Sequence, residues 1–447
     1  MKDNVFNYTK DFIDEIQNIY LDDIRGSNFS AFTRNRKVSV FPLMLQMFNQ
    51  KGKTQLSEII DLYENLGEPL NISTVGFYKA RMKFNPFAIK LMSKDFISDI
   101  YDKENESMVK LNGYIVTAID GSDINVPTTK ENVEIYGRAS GNPKNDVNNY
   151  PTMAKLSLIY DCINNCVFDS EVGEYKHSER DFALAHIEAL KTMLKEKTIT
   201  IFDRGYFSIK LVDKMVENNQ KFLFRLKKSD LKKYSNQVQL KEDKTFNITY
   251  DRNNTNDYRE DKKLRNKIIN TTYKLRIVKV PITSSETQET YEEILLTNLK
   301  EDEFDLNALK ELYRLRWRVE TVYNTLKNKM KIEEFSGKRS TIILQDIFSC
   351  IWLNNIIILR IIEINEENEI PDNRYKYKMK HNVNVAIGLV KSCFVRSIIR
   401  IDKDEATRYF EECTNMINKH LVPIRMGRNF KRGNTKNKSR MSYRYSY

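Results

Sequence analysis

Two apolar runs, YIVTAID (residues 114–120) and TITIFD (198–203), each end in an aspartate with a glycine one or two positions on. Short runs rich in β-branched residues and closed by turn-forming residues read as buried strands, each delivering an acid at its end. After the second run comes SIKLVDKMVENN, whose apolar residues recur every three or four positions, and then KFLFRLK, a further strand pattern. Strand, helix, strand is the order of an α/β domain, and it constrains the chain more than any other feature. Between the two acids, MAKLSLIYD and NCVFDSEVGEY add strands, and ERDFALAHIEALKTML adds a helix. Ser178 and Asp181 stand at that helix start with the spacing of a capping-box variant, and His177 and Glu179 read as the polar start of the same helix.

The regions on either side differ in character. Residues 1–105 are predicted to be helical, from the periodicity of FPLMLQMFNQ and LSEIIDLYENL. Gly67 and Pro69 break the pattern before TVGFYKARMKF, for which Ser73 is the expected N-cap and which carries Lys79, Arg81 and Lys83. Helix, turn, basic helix is the outline of a helix-turn-helix DNA-binding unit, and equally of an ordinary helical pair. The core is expected over 106–227 and again over 301–370. Residues 228–300, polar and Asn-rich with strand patterns in YKLRIVKV and YEEILLTNL, form a β-rich insertion between the two parts. Residues 371–447 form a helical C-terminal region whose last 23 residues hold eight Lys or Arg, among them Arg425, Arg428, Lys431 and Arg432, and no acid.

At 447 residues with 40% hydrophobic and 11% aromatic side chains, the chain is long enough for several packed units and is not a disordered tail. A net charge of +12 points to a polyanionic partner, nucleic acid before an acidic membrane. The start, MKDNVFNYTKDF, lacks a signal-peptide pattern. The most apolar stretch, Ile347 to Leu359, is interrupted by Asn354 and Asn355 and reads as a buried helix rather than a membrane span. Five scattered cysteines are expected to stay reduced, and none is spaced for zinc.

A second helix pattern, YRLRWRVETVYNTLKNK, carries Tyr313, Arg316, Glu320 and Lys327 within a stripe about 60° wide at 100° per residue. Leu312, Leu315, Val319, Val322 and Leu326 form a separate apolar stripe. Either the polar face is wet or it is a site. Carboxylates suit Mg²⁺ or Mn²⁺, and two such ions can activate an attacking oxygen and stabilise a leaving one in phosphoryl transfer. Asp120, Asp203 and Glu320 are the acids such a site would use. Without cations to balance them they would repel one another, and Arg316 and Lys327 are positioned to do so. Taken singly, the aspartates are ordinary strand-end turn residues and Arg316 with Glu320 an ordinary i,i+4 pair.

The spacing Tyr313, Arg316, Glu320, Lys327, with Trp317 directly after the arginine, resembles the Tyr-Arg-Glu-Lys (YREK) signature of bacterial insertion-sequence transposases of the DDE type. AIDGSDINVP around the first acid, and ERDFALAHIEAL leading to IFDRGYF around the second, resemble the same group. The resemblance implies an RNase H-like catalytic core with a β-rich insertion, Asp120, Asp203 and Glu320 as catalytic metal ligands, and two Mg²⁺ or Mn²⁺ ions per site. Asp123 is the rival to Asp120, disfavoured by the Asp-Gly-Ser context.

It further implies DNA contacts by Tyr313, Arg316, Trp317, Lys327 and Arg204, with Lys79, Arg81, Lys83 and the basic tail recognising the element's ends. The partners implied are double-stranded DNA, as terminal inverted repeats and target, and a second copy in a synaptic complex. The setting implied is the bacterial cytoplasm and nucleoid. Relatives that trap a flipped base use a tryptophan in the insertion, whereas this chain has only Trp317 and Trp352 and offers Tyr250, Tyr258 or Tyr273 there. Two other functions use the same residues: a cleavage-inactive DNA-binding regulator descended from a transposase, and a stand-alone metal-dependent nuclease.

Overall fold

The computed structural model describes residues 5–33, 37–49, 52–103, 106–139, 150–252, 255, 258–283, 290–367, 376–399 and 403–424. At its centre lies a mixed sheet of eight strands. In chain order these are β1 (Ile115–Asn125), β2 (Met153–Asp161), β3 (Val167–Glu174), β4 (Thr198–Phe202), β5 (Lys221–Leu226), β6 (Asp243–Ile248), β7 (Tyr273–Thr283) and β8 (Thr290–Thr297). In space they run β3-β2-β1-β4-β5-β8-β7-β6.

Connections explain the directions. β1, β2 and β3 pair antiparallel. β4 lies parallel to β1, and β5 parallel to β4, because helices Glu179–Met193 and Ile209–Glu217 carry the chain back between strands. The register sets Ile119 beside Phe202, so the residues that follow, Asp120 and Asp203, emerge at the same edge of two neighbouring strands. β4 is buried throughout, and β1 is buried from Ile115 to Ile119, turning half-buried at Asp120.

The segment expected as an insertion contributes β6, β7 and β8, and it continues the same sheet through the antiparallel pairing of β8 with β5. Ile294, Leu295 and Leu296 are buried there, so covering the edge of β5 also encloses apolar surface.

Among the described residues, six helices lie within 5–103. Ser73 caps helix Thr74–Arg81 as expected, its side chain accepting from Gly76 N at 3.2 Å. The apolar stretch expected over 347–359 is part of a much longer helix, Ser340–Glu367, long and apolar enough by composition to cross a membrane. Its apolar window is 83% buried inside the protein. Helices Pro86–Lys103, Val5–Ile19 and Val40–Phe48 pack around it, with Trp352 edge-on to Phe12 and Phe48. It is the core helix that joins the N-terminal helices to the sheet.

Helix Glu179–Met193 is fastened to the sheet from beneath. His186 reaches Asp169 Oδ2 on β3 at 2.8 Å and Ser157 Oγ on β2 at 3.1 Å, and all three residues are buried. The expected capping box does not form, since the Ser178 side chain makes no cap hydrogen bond. Cys162, Cys166 and Cys350 are free thiols as expected, whereas Cys413 is disulfide-bonded. The basic tail, with Arg425, Arg428, Lys431 and Arg432, lies outside the described residues.

Candidate active site

The stretch read as one regular helix is a helical run with two irregular turns. Helix Leu306–Arg314 tightens into a 3₁₀ turn at Leu315–Trp317, resumes over Arg318–Asn324 and widens into a π turn at Thr325–Lys329. Such turns depart from 100° per residue and re-aim side chains. Here they carry Arg316 and Lys327. Leu312, Val319, Val322 and Leu326 are buried as the apolar stripe requires, but Tyr313 and Arg316 are buried too. The polar face is only partly wet, with Glu320 and Lys327 half-buried. It is pressed against the ends of β1 and β4.

Arg316 sits at the middle. Its Nη1 is 3.9 Å from Asp120 Oδ2 and its Nη2 is 3.4 Å from Glu320 Oε1, while Asp203 is the acid that most favours its charged form. Burial disfavours that charge, yet the acids outweigh it and hold Arg316 above its ordinary pKa. Asp120 and Glu320, remote in sequence, thus flank one guanidinium, and Asp203 acts on it through its charge.

The two aspartates are treated differently. Burial pushes Asp120 up to about 6, against the Gly121 N–H that donates to its Oδ1 at 2.9 Å and against the charge of Arg316; neighbouring Glu179 and Asp203 add to the rise. Asp203 is buried less deeply and is held below the usual carboxylate range. Burial opposes this, but the backbone of Arg204, the charge of Arg316 and the hydroxyl of Tyr313, which donates to Oδ1 at 3.0 Å, prevail. Arg225, with its Nη1 3.8 Å from Asp203 and its Nη2 2.5 Å from Glu293, adds positive charge from β5.

Other residues clamp the strand behind the acids. The hydroxyl of Tyr323 donates to the carbonyls of Asp120 at 2.7 Å and Leu156 at 3.2 Å. Lys327 donates to the Asp123 carbonyl, and burial lowers its pKa. Asp123, the rival to Asp120, points to Lys155 at 2.7 Å instead. Tyr313, Arg316 and Lys327, expected as DNA contacts, therefore turn inward upon acids and strand. Trp317 is 50% exposed, with the Arg316 guanidinium 4.4 Å from its ring, and Arg204 is exposed beside Asp203. Arg225 and Tyr323 carried no sequence signal, because neither belongs to a spaced pattern.

The expected end-binding residues divide. Lys79 and Lys83 are exposed and, with Lys37, line a cleft of about 850 Å³ among the N-terminal helices. Arg81 is not available to DNA. It is 3% exposed and is spent on Gln345 at 2.8 Å, Gln46 at 3.0 Å, Ser336 at 2.7 Å and a buried ion pair with Asp346. Helix Thr74–Arg81 packs on the core helix by that face, which puts alternate cations inside and outside.

The donor chemistry suits a hard divalent cation: carboxylates alone, one of them, Asp120, half-buried with its charge incompletely balanced. The carboxylates face the guanidinium rather than one another, and among the described residues no three His, Cys, Asp or Glu side chains are drawn close enough to hold an ion. Arg316 occupies the place of positive charge.

No curated protein matches the chain. Among solved structures, a cryo-electron microscopy structure of a piggyBac transposase synaptic complex with hairpin DNA superposes with a TM-score of 0.43, at 10% identity, over 96% of this chain and 86% of that one. Residues 111–356, 246 of the 447, match the family model of the transposase DDE domain, a span that contains both strand-end aspartates and the whole of the irregular helix with Glu320. By that match the protein belongs to the transposase DDE domain family.

Proposed function

We propose that the acids around Arg316 are the catalytic centre with which this transposase cuts and joins the ends of a bacterial insertion sequence of the YREK group by two-metal-ion phosphoryl transfer. The chain is a DNA-cleaving transposase, and enzymes of its family use divalent metal ions. What supports the finer reading above all is that Asp120 and Glu320 flank one buried guanidinium whose charge is most favoured by Asp203, the residue that ends the strand next to that of Asp120. An RNase H-like core is supported by the sheet that ends in two aspartates, by the helical run that follows it with the glutamate, and by β6, β7 and β8 lying between in sequence.

In this reading Asp120, Asp203 and Glu320 would hold two ions. When bound, Mg²⁺ or Mn²⁺ lowers the pKa of the attacking water or 3′-hydroxyl and neutralises charge on the leaving oxygen. Tyr313 and Arg225 keep Asp203 ionised and oriented. Tyr323 and Lys327 hold the backbone of β1 so that Asp120 cannot swing away. Trp317 and Arg204, exposed beside the acids, would meet the phosphates of the scissile strand.

Lys79 and Lys83, with the tail that includes Arg425, Arg428, Lys431 and Arg432, supply contacts to terminal inverted repeats. Two copies act in a synaptic complex in the bacterial cytoplasm, on nucleoid DNA. The domain limits that go with this reading are 1–105 for the end-binding region, 106–227 and 301–370 for the core, 228–300 for the insertion, and 371–447 for the C-terminal region.

The test is incubation with linear DNA carrying the element's ends and Mg²⁺ or Mn²⁺. The wild type nicks at the ends. Glu320→Gln binds the ends but does not nick, because it loses a ligand charge and no exposed cation; nicking by this variant at the normal rate overturns the site. Cleavage of any DNA regardless of ends returns the reading to a nuclease, and end binding without cleavage returns it to a regulator.

A further inference from the structure

Away from the acids, the N-terminal helices enclose the cleft of about 850 Å³ that Lys37, Lys79 and Lys83 line. Helix Thr74–Arg81 and the turn that continues it supply Gly76, Lys79, Ala80 and Lys83 to one wall, spaced by three, one and three and so on one side of the helix. A Cβ on Gly76 would fall 2.9 Å from Ile72 Cγ1, so the glycine leaves Ile72 its place in the same lining. None of the described lining residues is an acid, and the three lysines are exposed with no ion pair among the described residues. We infer that this cleft binds unpaired nucleotides of single-stranded DNA, with phosphates on the lysines and a base against Phe32. The inference deepens the proposed contact of Lys79 and Lys83 with the element's ends and rests on that reading for the lysines' role.

Size and polarity favour an unpaired strand over a duplex. A compact space of that volume is about 9–10 Å on a side, within the range of sites that enclose small ligands and narrower than the roughly 12 Å major groove of a double helix. A duplex meets the lysines with its phosphates alone, its bases stacked on one another, and leaves the half-buried Phe32, Ile72 and Ala80 uncovered. An unpaired strand matches both chemistries, charge to the cations and base faces to the apolar surface. Phe32 is placed for the second part. Its φ is +55°, a conformation that bulky residues rarely adopt. The ring meets buried Phe84 with centroids 6.4 Å apart and planes at 72°, so it is held by the core while the residue stays half-buried at the cleft. Val38 and Val40, in the same lining, are 6% and 1% exposed, as side chains that only fill the core should be. An aromatic face supports any base, so such a cleft holds a strand without reading its sequence.

Fluorescence anisotropy of the full chain without metal, with a labelled oligothymidine of about six nucleotides and with a labelled duplex of the element's end, tests this apart from activity. Phe32→Leu keeps an apolar side chain but removes the ring face. It should weaken binding of the single strand by roughly 5- to 100-fold, the range of a lost stacking contact, and leave the duplex unchanged. Lys79→Ala with Lys83→Ala should weaken both ligands, because phosphates are common to them. A single strand carrying iododeoxyuridine, irradiated on the wild type, should cross-link at Phe32, as located by mass spectrometry.

If Phe32→Leu binds the single strand as the wild type does, or weakens strand and duplex equally, the ring stacks no base and the inference is overturned, while the lysines' part in end binding stands. If the double lysine variant changes the affinity for neither ligand, the proposed end binding by these lysines is overturned with it. Should Phe32→Leu fail to fold by circular dichroism, the cross-link decides alone: capture at Phe32 upholds the inference, and capture elsewhere or none overturns it.

Discussion

Replacing Asp120 by asparagine should stabilise the metal-free protein while destroying its catalysis. Burial, with Glu179 and Asp203 nearby, raises the folded-state pKa of Asp120 from 3.8 to about 6. The folded chain therefore binds this proton more tightly than the unfolded chain. Below pH 3.8 both states hold it and the residue is neutral in each. Between about 4 and 6 only the folded state does, so stability falls as the pH rises, and above about 6 the whole penalty is present. A displacement from 3.8 to about 6 corresponds to about 3 kcal/mol. Asparagine has nearly the same shape and carries no charge, so it escapes the penalty.

Urea unfolding in EDTA, followed by circular dichroism, measures it: the variant should exceed the wild type by about 2–3 kcal/mol at pH 7.5, and the gap should close near pH 3.8. Equal stability at pH 7.5, or a gap that does not shrink in acid, refutes the account of Asp120 as a buried and under-balanced charge. Saturating Mn²⁺ should narrow the gap, because ligand binding to the folded wild type offsets the same penalty.

Asp203→Asn should have the opposite sign. That carboxylate is held ionised, so its stabilisation is present above pH 3.8 and is lost as the pH falls through its lowered folded value; the variant should be less stable at pH 7.5 in EDTA, with the difference shrinking in acid. Arg81→Met should cost about 3–5 kcal/mol in urea unfolding, the usual cost of breaking a buried ion pair, without changing the salt dependence of DNA binding in folded protein. Lys79→Ala with Lys83→Ala should do the reverse, leaving stability alone and making the slope of log affinity against log salt shallower by roughly 2.

Much of this molecule is legible from local pattern. The runs ending in Asp120 and Asp203, the helix between β4 and β5, the Ser73 cap and the apolar stripe from Leu312 to Leu326 all appear where periodicity and capping put them. Backbone hydrogen bonding and the partition of side chains from water act over a few residues, so a few residues suffice to read them. The spacing of Tyr313, Arg316, Glu320 and Lys327 is likewise a property of the chain itself.

Only the tertiary structure decided what these residues face. The parallel register of β1 on β4 sets Asp120 beside Asp203 from 83 positions away. The 3₁₀ and π turns deliver Arg316 and Lys327 inward, where straight helical geometry left them free to meet DNA. Packing on the core helix hides Arg81 between two exposed lysines, and it makes a 28-residue apolar helix an interior strut. Arg225 and Tyr323 join the acids through contacts of this long-range kind. Their energies belong to pairs of surfaces and not to any one segment, which is why no pattern along the chain announces them.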